Sequence, residues 1–290
     1  MVPIREVSRL TGINTVTLRA WERRYGLVNP QRTSKGHRLY SLADVKRVQL
    51  IQSWLTRGLA IGKVRDLLAD TSEDIAAYVP DEDVWKSYGE DLAQILQGLQ
   101  GRKLQSLLHE LFGVYSPEVL ADYWLSPALD ALSKGQYASA SRRAFLQQQL
   151  REFIYVKTQK LRHQVQGPKV LLINFQTEDD CLALMLAYSL LIKEYAVLLF
   201  NDLPPEEWLL VCEQCQCSSV IIYSNQAKGL RELRHSLGEW RNKSIKPLWI
   251  AGKVIKPLGL VEDTNPFIAG ESVQAAVNHI LAQMPVVFRE

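Results

Sequence analysis

An α plus α/β chain is predicted for these 290 residues by three features. The first 70 residues read as helix, glycine turn, helix and basic hairpin. From Val84 to Gln166 the apolar spacing is helical throughout. From Lys169 onward, short apolar runs alternate with helical ones. The expected parts are a winged helix-turn-helix at 1–70, a linker at 71–83 and a four-helix bundle at 84–166. A flavodoxin-like, doubly wound parallel sheet follows at 167–290.

Ile4 to Thr11 places Ile4, Val7 and Leu10 on one face of a short helix, and Leu10-Thr11-Gly12-Ile13 forms a tight turn. Asn14 is positioned to cap the next helix. In that helix Val16, Leu18, Trp21 and Tyr25 are expected inward, leaving Thr15, Thr17, Arg19, Arg23 and Arg24 outward. Gly26 stops it and Pro30 prevents it from resuming. Gln31 to Tyr40 reads as a hairpin turning at Thr33-Ser34-Lys35-Gly36. Such a unit sends its second helix into a major groove. Ser41, with Asp44 three residues on, starts a third helix ended by Gly58, and Ile61 to Ala69 is a fourth.

Charge points the same way. Residues 1–65 hold thirteen Lys or Arg against three acids, a net +10, while the remainder carries 21 basic and 28 acidic groups, a net −7. A cationic head on a mildly anionic body is what phosphate binding requires, since released counterions supply much of the affinity.

The stretch IREVSRLTGINTVTLRAWERRYGLVNPQRTSKGHRLYSLADVKRVQLI resembles the DNA-binding domain of MerR-family transcription regulators. TLRAWERRYGL, Pro30, Arg32 and Gly36-His37-Arg38-Leu39-Tyr40 are most similar to the MlrA-like and CarH/LitR-like branch. The expected DNA contacts are Thr15, Thr17, Arg19, Arg23, Arg24 and Tyr25 from the helix, with Arg32, Lys35, His37, Arg38 and Tyr40 from the wing. The resemblance adds Arg47, Lys63 and Arg65 as backbone contacts. It implies promoter DNA as partner, RNA polymerase through the promoter complex, a homodimer, and control by bending and untwisting an overlong spacer.

The acidic run 70–83, with Pro80, interrupts any heptad seam, so a dimer would form through the body or on the DNA. Beyond it, helices are expected at 84–98, 101–112, 116–132 and 137–165. Strands are expected at Lys169–Phe175, Ala196–Phe200, Ser219–Tyr223, Pro247–Ala251 and Pro266–Ala269, with helices between them and a closing helix at Ser272–Gln283. Bundle plus sheet resembles the cobalamin-binding module of the same branch. That module uses Glu-x-His-x-x-Gly after its first strand, where this chain has Glu178, Asp180 and Ala183. Its cap motif falls on Leu132, Arg142 and Arg143, and its later contacts on Ser224 and Gly252. A carboxylate poorly replaces an imidazole on cobalt, so no cofactor is expected.

Cys212, Cys215 and Cys217, with Cys181, could supply thiolates to a metal or a redox switch, but small thiols between helix and strand are ordinary packing residues. No metal is expected. Four cysteines in so long a chain make no disulfide framework. Phosphate-loop, His-Glu-x-x-His and Gly-x-Ser-x-Gly motifs are missing, and Tyr223 and Ser224 sit where a phospho-receiver domain would need its acceptor, so no enzyme is expected. No apolar run reaches the roughly 18 residues of a membrane span, and MVPIREVS lacks a signal-peptide core, which predicts a cytoplasmic protein. The rival readings are a cobalamin-dependent light or ligand sensor and a metal- or thiol-responsive regulator.

Overall fold

Ile4–Thr11 forms the first helix (α1) of the computed structural model, with Val7 fully buried and Thr11 donating from Oγ1 to the Val7 carbonyl at 2.7 Å. The structure describes residues 1–11, 13, 15–69, 82–134, 138–175, 181–226, 229–260 and 268–284. The Gly12 turn, the Asn14 cap, the linker with Pro80, and Glu178 and Asp180 therefore lie outside the described residues.

Thr15–Arg23 is α2, and Gly26 beyond it takes φ +62°, the left-handed conformation that lets the chain leave a helix. The hairpin is β2 (Gln31–Arg32) and β3 (Arg38–Tyr40), closed by Gly36 N–H to the Thr33 carbonyl at 2.8 Å. A strand not anticipated, β1 (Val2–Pro3), pairs with the other side of β3 and gives the order β1-β3-β2. Two residues are too few to show a period, which is why the sequence pattern did not reveal it. Ser41 and Asp44 cap α3 (Leu42–Thr56) reciprocally, as the spacing predicts, and α4 (Ile61–Ala69) follows.

The helices after the acidic run are α5 (Glu82–Gln97) and α6 (Gly101–Val114). The single helix expected at 116–132 is in three pieces: α7 (Pro117–Leu120), a π turn (Ala121–Leu125) and α8 (Ser126–Ser133). Pro127 has no N–H to continue an α-helical ladder, and the wider turn sits immediately before it. The long α9 (Ser139–Arg162) buries Leu146, Leu150, Phe153 and Ile154.

The chain forms two compact units, Met1–Phe145 and Leu146–Glu290. In the first, the winged head is joined to the helices that follow the linker. The Trp21 indole donates to the Val114 carbonyl at 3.3 Å, and Trp85 donates to the Gly58 carbonyl at 2.7 Å. The Trp85 ring lies 4.8 Å from Tyr115 and 5.8 Å from Tyr123, and the Tyr115 hydroxyl accepts from Ile61 N–H at 3.3 Å.

The second unit is a five-stranded parallel sheet: β4 (Lys169–Asn174), β5 (Ala196–Asn201), β6 (Ser219–Tyr223), β7 (Leu248–Ala251) and β8 (Ile268–Gly270). The order β5-β4-β6-β7-β8 is doubly wound, with the topological switch between β4 and β6. Among the described residues, five helices connect the strands or close the sheet: α10 (Cys181–Ile192), α11 (Trp208–Gln214), α12 (Leu230–Lys243), α13 (Ile255–Leu258) and α14 (Val273–Gln283). A one-turn 3-10 segment, Pro205–Glu207, leads into α11, and the four-residue α13 was not expected. Leu171, Ile173, Phe175, Val220, Ile222, Leu248 and Ile250 pack with Trp208 and Trp240 in one core cluster. Every residue from Cys181 to Leu191 is buried.

Candidate nucleic-acid interface

Leu18 and Trp21, both almost wholly buried, set the rotation of α2 about its axis. A residue two positions from Leu18 is about 200° around the helix, so Val16 points away from the core. It is 57% exposed, and Thr17 is only 5% exposed. The expected inward Val16 and outward Thr17 are therefore corrected: the core takes the small threonine beside Leu18. Val16, Arg19 and Arg23 form one exposed stripe at i, i+3, i+7, and Thr15 is half-buried. Neither Arg19 nor Arg23 has an ion pair among the described residues.

The wing is fastened to this helix by one carboxylate. Glu22 accepts from Arg32 Nη2 at 2.7 Å and from Arg38 Nε in a second, very close pair. Burial raises the Glu22 pKa, but hydrogen bonds from Arg38 and then Arg32 outweigh it, so the carboxyl is held below its ordinary value. The expected surface positions of Arg38 and Tyr40 are corrected here. The Arg38 side chain is 11% exposed and turned toward Glu22, and Tyr40 is fully buried because β3 is the central strand of the small sheet. Arg32, Lys35 and His37 are exposed. Arg47 donates to the Leu27 carbonyl at 2.7 Å, fixing the turn between α2 and the wing.

Arg24 and Tyr25 face elsewhere. With Gln105, Ser106, His109 and Glu110 of α6 they line an open cleft of about 650 Å³. Burial, and then Glu110, push the Tyr25 phenol up, and burial pushes Tyr88 on α5 up to about 12. Two positions of this surface escaped the sequence reading. Glu22 is the one acid inside a basic stretch, and Val16 is out of phase with Leu18 and Trp21; those were the available signals.

In the second unit, the strand ends at the switch point are tightly tied. Asn174, fully buried at the end of β4, donates to Asn201 Oδ1 at 3.1 Å. Gly252 takes φ +97°, and a Cβ there would meet the Ser224 carbonyl oxygen at 2.3 Å. Ala183 is fully buried in α10, bringing a methyl where the resemblance requires bare backbone. In the first unit, Arg143 donates to the Leu129 carbonyl at 3.2 Å and to Ser133 Oγ, and Leu132 and Arg142 are half-buried. These residues do not fit cobalamin, and no group of three or more metal-ligating side chains occurs among the described residues. Burial pushes the Cys217 thiol up to about 11 and also raises Cys212, whose sulfur lies 3.7 Å from the Cys217 carbonyl. Such thiols are protonated packing groups. No described helix is long and apolar enough to cross a membrane.

Residues 2–71 match the model of the MerR HTH family regulatory proteins. The chain is 32% identical over 176 residues to the HTH-type transcriptional regulator MlrA of Escherichia coli, spanning 61% of this chain and 70% of that protein. It is 28% identical over 136 residues to the HTH-type transcriptional repressor CarH of Myxococcus xanthus, spanning 43% and 44%. A solved cobalamin-binding protein from Desulfitobacterium hafniense overlaps 68% of this chain and 97% of its own at a TM-score of 0.34 and 12% identity, too little to carry an argument.

Proposed function

Since the chain belongs to the MerR family of DNA-binding transcription regulators, we propose that it reads promoter DNA with the exposed stripe of α2 and alters transcription by distorting the duplex it holds. The observation that carries this reading is the pair Arg19 and Arg23, exposed on one face and left without ion pairs among the described residues. A guanidinium presented in that way is suited to bidentate contact with guanine O6 and N7. Arg32, Lys35 and His37 then take phosphate, with Thr15 at the start of the helix and Arg24 and Tyr25 at its far end beside the cleft. Thr17, Arg38 and Tyr40 support the surface from behind, through burial and through Glu22.

The chain acts as a homodimer on a two-fold operator and meets RNA polymerase within the promoter complex, in the cytoplasm and without catalysis. Residues 84–166 serve as a helical module and 167–290 as an α/β interaction module without cobalamin. Footprinting of the full-length protein on promoter fragments from its own genome is the test. Protection of a two-fold site, lost in Arg19→Ala/Arg23→Ala, is expected, with enhanced cleavage at the distorted centre. Uniform, sequence-independent protection would refute the reading. Equilibrium dialysis against adenosylcobalamin should show no stoichiometric binding.

A further inference from the structure

Val16 is the least expected surface residue of α2. It is a β-branched apolar side chain, 57% exposed, in the first turn of a nine-residue helix whose core face is already filled by Thr17, Leu18 and Trp21. Rotation of the helix cannot bury it without expelling those side chains. It shares its stripe with Arg19, one turn on, with Cβ atoms roughly 5–6 Å apart. When a recognition helix docks, its N-terminal residues are the ones that reach base edges. In the major groove only one base offers an apolar group at its edge, thymine, through its C5-methyl.

We propose that Val16 is a specificity-determining residue that packs its isopropyl group on a thymine methyl, one or two base pairs from the base read by Arg19. The inference rests on the DNA-reading role of α2 and adds to it the identity of one base. It also accounts for an apolar residue at the head of a stripe of guanidiniums: arginine secures hydrogen-bonded readout, and valine rejects cytosine, whose edge carries a hydrogen there.

The test uses the full chain and a duplex selected by it from a randomised pool. Each thymine is replaced singly by deoxyuridine, which removes the methyl group and leaves base pairing intact. At one thymine per half-site the wild type should lose about fourfold in affinity, the value of roughly one buried carbon. Val16→Ala, which removes the contact from both half-sites, should bind the unmodified duplex about as weakly as the wild type binds a duplex carrying deoxyuridine at both of those thymines, with no further loss from deoxyuridine. Val16→Ser, polar at the same position, should behave likewise, and circular dichroism of both variants should match the wild type. Indifference of the wild type to every deoxyuridine, in a duplex it still selects, would overturn the inference and leave the DNA-reading role standing. Full methyl sensitivity retained in Val16→Ala would also overturn it. Failure to select any sequence would refute the underlying reading as well.

Discussion

Glu22 holds two wing arginines at once, and removing it should be felt twice. Glu22→Ala leaves the largely buried Arg38 without its partner, and a charge-assisted hydrogen bond of this kind is worth about 1.5–3 kcal/mol. We expect a stability loss of that size by denaturant titration, together with weaker operator binding as the wing loses its anchor. The pH dependence has a defined sign. The folded-state pKa is depressed, so the contribution is present above the unfolded value of 4.5 and is lost as pH falls through the lower folded value. Acid unfolding of Glu22→Gln should therefore be less steep than that of the wild type below pH 4.5. At Arg19 the expectation concerns specificity. Arg19→Ala should cost about 1–3 kcal/mol on the operator and relax preference at a single base pair, checked by gel shift on single-base variants. Among the cysteines, only Cys215 is partly exposed. Alkylation of the native protein followed by mass measurement should add one label, and four after denaturation.

At the level of elements, the join between the winged head and α5–α6 matters most. Trp85 is 7% exposed, caps the Gly58 carbonyl and stacks on Tyr123. Trp85→Ala should cost about 3–5 kcal/mol and lower the cooperativity of unfolding within Met1–Phe145, seen by urea titration followed by two probes. Most elements here were legible in advance. Ile4–Thr11 and Ile61–Ala69 fall where their periodicity places them, and the Ser41–Asp44 spacing announces its capping box. The parallel sheet follows from apolar runs between helical ones. What was not legible depends on contacts distant in sequence. Nothing local to Trp21 says that its indole meets a carbonyl 93 residues away. Nothing in RLY says that Arg38 turns inward while Lys35 stays out, because that choice is made by Glu22 on another element. Val16 is different: its phase against Leu18 and Trp21 was present in the sequence and was outweighed by its hydrophobicity.

For the whole molecule, charge and burial set the conduct of the two ends. The first 65 residues carry a net +10 and the remainder −7, so long-range attraction to DNA belongs to the head alone. Log affinity should fall linearly with log salt, by ~0.9 for each phosphate neutralised, and Lys35→Ala, which removes one phosphate contact of the wing, should reduce the slope by about that amount. At the other end, α10 is buried from Cys181 to Leu191, and Gly252, at the end of β7 in the same unit, allows its loop to close against Ser224. A helix that is apolar on all sides has no face it can show to water. Gly252→Ala, which forces a methyl into a backbone oxygen, would open that unit part of the time and display CLALMLAYSLLI to the cell's chaperones and proteases. Folding losses of about 1–2 kcal/mol change abundance several-fold. Damage to the sheet would thus appear first as a shortened half-life in a pulse-chase, with fewer regulator molecules per promoter.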